Sequence, residues 1–234
     1  MVPYVNFESF KMRIGIITEA RMTSSRLPGK HLLKIGDKPI FEIFINQIKK
    51  SKLTTNIILA TTINKEDDIL CEVAEQLEID IYRGSEENVL ERVIGAATSQ
   101  KIDVIVEITA DCPLIDPNLI DQAIKKYIEN NYQYVGNTID RQFADGMDVE
   151  VYSTEFLRET YSPSMDPYFL EHVTAHIVSS DKYSKYNLVA KKEQYAPDAR
   201  ITLDTVSDFK IIKQVYTKLV EENLEINCKN VTSL

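Results

Sequence analysis

The feature that most constrains the fold is a regular alternation of short apolar, β-branched runs with amphipathic helical patterns. The apolar runs predict strands at Arg13–Thr18, Asn56–Thr62, Asp80–Tyr82 and Asp103–Ile108. The helical patterns that separate or follow them cover Pro39–Lys50, Glu66–Leu77, Glu86–Thr98 and Asn118–Glu129, and Asp116-Pro117 is expected to cap the last of these helices. Strands and helices that alternate in this way form a mainly parallel sheet with helices on both faces. The expected fold is therefore a three-layer α/β domain.

The strand Asp103–Ile108 has almost no polar face, which is typical of a strand covered by helices on both sides. Residues 134–177 interrupt the alternation, and we expect two short strands and two helices there. The alternation then resumes with strands at Asn187–Ala190 and Ile201–Leu203 and a helix at Ser207–Val220.

We expect a single domain over residues 12–220, in which residues 134–180 form an inserted subregion. Residues 1–11 are expected to be an N-terminal appendage, and residues 221–234 a C-terminal tail. Ligands of such sheets bind beyond the carboxyl ends of the strands. The loops that carry function are therefore expected at 19–32, 83–88, 109–116 and 204–208.

Composition excludes several classes of protein. The formal net charge of −9 over 234 residues argues against duplex nucleic acid as a partner, because binding the phosphate backbone needs a broad basic face. No apolar run approaches the ~20 residues of a transmembrane helix, and the N-terminus lacks the pattern of a signal peptide. The three cysteines have no zinc-type or disulfide-type spacing. We expect a cytoplasmic protein with no membrane partner.

A basic loop, Ala20–Leu32, follows the first predicted strand and contains no acidic residue. Its cations are Arg21, Arg26 and Lys30, and its hydroxyl donors include Ser24 and Ser25. The loop is not a P-loop, because serine replaces the first required glycine and His31 follows the Gly-Lys pair. Arginine and lysine at this position favour phosphate binding. The alternative is a solvated basic loop that pairs with surface acids.

Two aspartates, Asp111 and Asp204, each follow a predicted strand. Carboxylates at two neighbouring strand ends, together with a basic loop, indicate a metal-assisted phosphoryl-transfer site. The alternative for Asp111 is a turn-forming role before Cys112-Pro113. Cys112 is expected to pack as a small apolar residue. In the segment after the second aspartate, Ser207 is expected to cap a helix and Asp208 to lie in its first turn.

His172 and His176 have the i, i+4 spacing of a zinc motif, but valine replaces the glutamate that a metalloprotease requires. His172 is equally compatible with substrate contact and with packing. His176 is expected to be structural.

Seven segments carry a family resemblance by their order in the chain: ARMTSSRLPGKHLLKIGDKPIFE, ILATTINKEDD, YRGSEENVLER, VEITADCPLIDP, NTIDRQFADGMDVEV, DPYFLEHVT and ITLDTVSDF. From about Met12 to Leu219, the chain resembles the cytidylyltransferases that include spore-coat polysaccharide F-type proteins and relatives of the CMP-KDO and acylneuraminate synthetases. The resemblance implies a Rossmann-like nucleotide-diphospho-sugar transferase fold, CTP as co-substrate, Mg²⁺, pyrophosphate release and a homodimer.

The resemblance also implies roles for individual residues. The residues that match the triphosphate-binding loop are Ala20, Arg21, Ser25, Arg26 and Lys30. Those that fall near the base are Arg83, Gly84, Ser85 and Asn88. Asp111 and Asp204 match metal-binding aspartates, and the expected catalytic residues are Arg21, Lys30 and Asp111. The residues expected to face the acceptor or a dimer partner are Asp145, Asp148, Glu171 and His172.

Two residues depart from the family pattern. Glu19 stands where glutamine is expected, and Thr23 stands where glycine is usual. A carboxylate beside a triphosphate loop is unfavourable unless it points away, and threonine restricts a backbone that glycine would leave free. The expected function is a Mg²⁺-dependent transfer of CMP from CTP to a small anionic acceptor in surface glycan biosynthesis. The alternatives are the same fold with another nucleotide such as GTP, or a nucleotide-binding protein without catalysis.

Overall fold

The computed structural model describes residues 12–234, so the appendage predicted at residues 1–11 lies outside the described residues. The described residues form nine strands: β1 (Ile14–Glu19), β2 (Lys34–Ile35), β3 (Lys38–Pro39), β4 (Asn56–Thr62), β5 (Asp80–Gly84), β6 (Val104–Glu107), β7 (Tyr134–Gly136), β8 (Glu150–Ser153) and β9 (Lys185–Asn187). They also form nine α-helices: α1 (Ile40–Ile48), α2 (Asp68–Gln76), α3 (Val89–Ser99), α4 (Pro117–Ile128), α5 (Thr154–Thr160), α6 (Pro167–Glu171), α7 (Ala175–Val178), α8 (Val206–Glu221) and α9 (Cys228–Thr232).

Seven of these strands form one sheet, in the spatial order β5-β4-β1-β6-β8-β7-β9. The first four strands of that order are mutually parallel. Strand β8 is antiparallel to both β6 and β7, and β9 is parallel to β7. Strands β2 and β3 form a separate small hairpin. The predicted mainly parallel α/β sheet is therefore confirmed, with the antiparallel strands supplied by the inserted subregion.

Helices cover both faces of the sheet. Successive residues of its central strands point to opposite sides, so each face contributes to its own apolar core. On one face, Ile16 and Val106 belong to an apolar core that includes residues of α1, α2, α4 and α8. On the other face, Ile17 and Ile105 belong to a second core that includes residues of α3, α5 and α7. No helix among residues 12–234 has both the length and the apolar character needed to cross a membrane.

The subregion differs from the prediction in detail. It contributes β7 and β8 to the sheet, but three helices, α5, α6 and α7, replace the two expected. The strand predicted at Asn187–Ala190 ends at Asn187 and begins at Lys185.

The strand predicted at Ile201–Leu203 is wrong. The backbone there bonds to loops, because Ile201 N donates to Asp145 O at 2.7 Å and Leu203 N donates to Asp111 O at 2.8 Å. A continuous neighbouring strand is therefore not the partner of this segment.

Helix α8 begins at Val206, one residue before the predicted start. Thr205, and not Ser207, is the N-cap, and it forms a reciprocal capping box with Asp208. The cap predicted at Asp116 is confirmed, since its side chain accepts a hydrogen bond from Asn118 N at 2.9 Å. The other oxygen of Asp116 accepts from Cys228 N at 3.0 Å. Through this contact, part of the C-terminal tail packs against the domain as α9.

Candidate active site

A cavity of about 670 Å³ lies at the carboxyl ends of β1 and β6. It is bordered by the basic loop, by the loop after β6 and by the inserted subregion. Of the residues predicted from the sequence, it is lined by Ala20, Arg21, Ser25, Arg26, Lys30, Asp111, Glu171, His172 and Asp204. The fold therefore brings segments from four distant parts of the chain to one site.

Lys30 is the centre of the basic half of this cavity. It is 7% exposed, and its Nζ donates to Leu203 O at 2.7 Å. The same nitrogen lies 3.2 Å from Asp111 Oδ2 and 3.3 Å from Asp204 Oδ1. The two aspartates predicted as metal ligands therefore both contact the ammonium group of Lys30.

Asp204 is surrounded by further cations. Arg26 NH2 lies 2.7 Å from its Oδ1, and Arg200 NH2 lies 2.5 Å from its Oδ2. Arg200 also pairs with Asp145. The sequence analysis missed Arg200, because an arginine in an irregular loop carries no periodic signal that would place it at the site.

The pKa of the Asp111 carboxyl depends on two opposing effects. Burial raises this pKa, whereas the charge of Lys30 and a hydrogen bond from Thr109 lower it. The lowering effects together are larger, so the pKa of Asp111 lies below its ordinary value. Burial and the Lys30 charge also lower the pKa of His31 to about 4. At neutral pH the site therefore holds an ionised aspartate beside a neutral imidazole.

The remaining basic residue, Arg21, spans the mouth of the cavity. Its NH1 lies 3.3 Å from Glu86 Oε1, and its NH2 lies 3.8 Å from Glu171 Oε1. Glu86 also accepts a hydrogen bond from Thr23 Oγ1 at 2.8 Å. Thr23 has no positive φ, whereas Gly29 has a φ of 71°. The loop therefore requires glycine at the Pro-Gly turn and tolerates threonine where the family pattern has glycine.

Other residues predicted to bind the base or the acceptor lie away from this cavity. Gly84 and Ser85 line a second cavity of about 590 Å³. Arg83 Nε donates to Thr62 O at 2.8 Å, and its NH1 lies 2.6 Å from Asp68 Oδ1. The guanidinium of Arg83 is therefore bonded to β4 and α2.

Asn88 is the N-cap of α3 and accepts from Glu91 N at 3.0 Å. Asp148 pairs with Arg141 through two contacts of 2.8 and 3.0 Å, and Arg141 itself lines the cavity. Asp145 lies beyond it, beside Arg200. None of these three side chains lines the cavity.

The opposite half of the cavity contains three glutamates, which we call the acidic floor: Glu19, Glu107 and Glu150. They lie on the neighbouring strands β1, β6 and β8, with Glu107 directly opposite Glu150 in the register. None of the three forms an ion pair with another residue of the part of the chain that the structure describes. The sequence analysis missed two of them, although a glutamate within the otherwise apolar VIVEI run was a usable signal.

Burial governs the acidic floor. It raises the pKa of Glu19 to about 8, against the opposing charge of Arg92. Burial also raises the pKa of Glu107 well above its usual range, and the charge of Glu19 adds to that shift. Glu19 therefore holds a proton at neutral pH.

Two candidate residues are excluded from the chemistry by their surroundings. Burial raises the pKa of the Cys112 thiol well above its usual range, so it is a packing residue and not a nucleophile. Neither ring nitrogen of His176 has a hydrogen-bond partner among the described residues, and burial lowers its pKa. Its structural role remains a prediction.

An α/β sheet that places a basic loop and two aspartates at one strand-end cavity defines a protein of the nucleotidyltransferase class. The cytidylyltransferase family model matches residues 14–230. The chain belongs to the cytidylyltransferase family and is a CTP-dependent nucleotidyltransferase.

Individual relatives agree with this assignment. An uncharacterised protein from Methanocaldococcus jannaschii is 36% identical over 91% of this chain and 86% of its own. The spore coat polysaccharide biosynthesis protein SpsF of Bacillus subtilis is 31% identical over 89% and 88%. A 3-deoxy-manno-octulosonate cytidylyltransferase from Chloroherpeton thalassium is 34% identical over 51% and 48%. The solved structure of a cytidylyltransferase from Leptospira borgpetersenii has a TM-score of 0.85 and 31% identity, and the match covers 89% of this chain and 88% of that one. The predicted family and fold are both confirmed.

Proposed function

We propose that this enzyme transfers CMP from CTP to an oxygen of a small anionic acceptor, with release of pyrophosphate. The acceptor oxygen belongs to a sugar-acid hydroxyl or to a phosphate or phosphonate. The single observation that carries the proposal is the contact of Lys30 with both Asp111 and Asp204 beside the cations of the basic loop. A role in surface glycan biosynthesis is supported by the similarity to the B. subtilis protein.

The two aspartates fit a magnesium ion. Their oxygens lie 3.2 and 3.3 Å from one Lys30 Nζ, so they border the same small volume. Mg²⁺ in nucleotide enzymes is held by one or two carboxylates together with substrate phosphates. Among residues 12–234, no group of three or more His, Cys, Asp or Glu is placed to hold a metal alone. Bound Mg²⁺ would neutralise charge on the phosphate oxygens.

The residues of the chain would then divide the work. The triphosphate would be bound and oriented by Arg21, Arg26 and Lys30. These cations would exchange their present carboxylate partners for phosphate oxygens. The acceptor oxygen forms a bond to the α-phosphorus, and the bond from that phosphorus to the bridging β-oxygen breaks. Pyrophosphate carries away the bonding electrons, and a hydroxyl acceptor gives its proton to solvent. No protein nucleophile takes part.

The test is pyrophosphate release with CTP, Mg²⁺ and a panel of acceptors, with the product mass measured. Asp111→Asn and Asp204→Asn should each lower turnover by about 100-fold or more, because each removes one carboxylate of the metal pair. Asp37→Asn, at an exposed turn, is the matched control. Full activity in either aspartate variant would remove that residue from the metal site.

Thermal unfolding with each of the four nucleoside triphosphates separates the remaining possibilities. Because only a bound ligand stabilises the fold, CTP should raise the Tm more than GTP, ATP or UTP. Stabilisation by CTP without pyrophosphate release from any acceptor would indicate a binding protein. Homodimerisation and an acceptor role for residues 134–180 remain predictions, which sedimentation equilibrium and chimeras of that segment can test.

A further inference from the structure

The acidic floor is unfavourable for the stability of the fold. Glu107 and Glu150 face each other across an antiparallel strand pair, and like charges in that arrangement destabilise a sheet. Glu19 lies on the adjacent strand, two residues beyond Ile17, the register partner of Glu107, and so points to the same face. All three glutamates therefore line the same cavity, at a cost to stability that a functional site can justify.

The hydrogen bonds of the acidic floor are incomplete. Glu107 is 8% exposed, and it lines the cavity. Its Oε2 accepts from Tyr152 Oη, while its Oε1 accepts no hydrogen bond from any described residue. Both carboxyl oxygens of Glu19 are buried without a partner among residues 12–234. Buried polar groups are normally satisfied, so these oxygens point to a ligand that donates hydrogen bonds.

Glu150 differs because its hydrogen bonds are made but its charge is not balanced. Its Oε1 accepts from Tyr134 Oη and from Thr138 Oγ1, both at 2.7 Å, and its Oε2 accepts from Thr174 Oγ1 at 2.7 Å. These donors are all neutral hydroxyls. The carboxylate is thus oriented toward the cavity wall without a cation to neutralise it.

Arg92 and Arg141 also line the cavity, but neither forms an ion pair with the acidic floor. Arg141 lines the cavity, but it pairs with Asp148 through two contacts. Arg92 is buried and donates from NH1 to Ser85 O, while its Nε has no partner among the described residues. One buried guanidinium therefore stands against three carboxyls.

We propose that the acidic floor binds a protonated amino group of the acceptor, so that the acceptor of this enzyme is zwitterionic. The inference rests on the proposed function, and it names the chemical class of the acceptor. An ammonium group carries N–H donors and one positive charge, which match the unpartnered oxygens of Glu19 and Glu107 and the unpaired charge of Glu150. A hydroxyl has only one donor and no charge, and it would leave the other carboxyls unpaired. The anionic part of the same molecule would lie toward the basic half of the cavity.

Three pairs of compounds test the proposal, since the members of each pair differ only in an amine or a hydroxyl. They are glucosaminic acid and gluconic acid, glucosamine phosphate and glucose phosphate, and aminoethylphosphonate and hydroxyethylphosphonate. Each is titrated calorimetrically into CTP-loaded enzyme, with EDTA present so that turnover does not interfere. In at least one pair, the amine should bind about tenfold more tightly, as expected for one or more charge-assisted hydrogen bonds. Equal binding in every pair, stronger binding of the hydroxyl members, or no binding of any amine overturns the proposal.

Substitutions assign the preference to the acidic floor. Glu107→Gln keeps an acceptor for Tyr152 Oη but cannot become negatively charged when the amine binds, so it should abolish the amine preference and leave the Kd of CTP within about twofold. Glu75→Gln, at an exposed site on α2, should change neither quantity. An intact amine preference in Glu107→Gln overturns the proposal. So does a tenfold weaker binding of CTP, which would assign the acidic floor to the nucleobase. Failure of wild-type enzyme to bind CTP in the presence of Mg²⁺ would instead contradict the proposed function.

Discussion

The two halves of the cavity handle charge in opposite ways. In the basic half, each cation has a carboxylate partner: Lys30 with Asp111 and Asp204, Arg26 with Asp204, and Arg21 with Glu86. In the acidic floor, no described cation forms an ion pair with Glu19, Glu107 or Glu150. The basic half is thus prepared for exchange, in which phosphate and metal replace internal partners. In the acidic floor, Glu19 holds a proton at the place where we propose that a cationic ligand binds.

This difference shows that the net charge of a chain does not predict how charged groups are distributed in its binding site. The formal net charge of −9 describes the whole sequence, whereas the cavity contains a wall of basic side chains and a wall of carboxyl groups. Such a division orients a ligand that carries both signs, because each end is repelled by the wrong wall. Three substitutions test how far the two halves differ.

The largest effect is expected from Lys30→Met in the basic half. Removing this buried ammonium leaves Asp111 without its ion-pair partner, and loss of one partner of a buried pair costs about 3–5 kcal/mol. We expect turnover to fall by about 1,000-fold, because the lysine also orients the triphosphate. Turnover and the free energy of unfolding are the quantities to measure.

Two controls accompany this variant. Lys34→Met changes an exposed lysine four residues away and should leave both quantities unchanged. Millimolar Mg²⁺ should stabilise Lys30→Met more than wild type, because a metal cation can replace the missing ammonium between the aspartates. Equal stabilisation of the two proteins would contradict a shared cation position.

An intermediate effect is expected from Glu19→Gln in the acidic floor, and it depends on pH. Folding raises the pKa of Glu19 from 4.5 to about 8, chiefly through burial. Between these values the folded state holds a proton that the unfolded state has released, so rising pH destabilises the fold. This loss begins near the lower pKa and levels off above the higher one.

The variant has no such proton, so its free energy of unfolding should decrease less between pH 5.5 and pH 8. The expected difference is on the order of a few kcal/mol, since one unit of pKa shift corresponds to about 1.4 kcal/mol. Urea unfolding at several pH values measures it, with Glu75→Gln as the control. Parallel pH profiles for wild type and Glu19→Gln would show that Glu19 is ionised in the folded protein.

The smallest effect is expected from Glu86→Gln at the mouth of the cavity. Hydrogen bonds from Thr23 and Asn64 and the charge of Arg21 lower the pKa of Glu86, so it is ionised and competes with phosphate for Arg21. The amide removes this competitor while keeping an acceptor for the threonine. An exposed ion pair contributes about 0.2–1 kcal/mol, so the Kd of CTP should decrease about two- to threefold. Weaker binding of CTP in the variant would mean that Glu86 positions Arg21 productively.

Much of the fold could be predicted because its signals are local. The alternation of apolar runs and helical patterns placed β1, β4, β5 and β6, and Asp116-Pro117 marked the start of α4. Predictions failed where a segment's partners lie far away in the chain. Ile201–Leu203 is apolar and resembles a strand, but its backbone bonds to the loops that contain Asp111 and Asp145.

The site shows the same contrast between local sequence signals and contacts made over long distances in the chain. Sequence alone placed the basic loop after β1 and an aspartate after β6, because ligands of such sheets bind beyond the carboxyl ends of the strands. Only the tertiary structure decided that Asp111 and Asp204 meet at Lys30. It alone also decided that Glu19, Glu107 and Glu150 share one wall. Pattern and propensity act over a few residues, whereas strand order and burial set which charges face each other and which of them hold their protons.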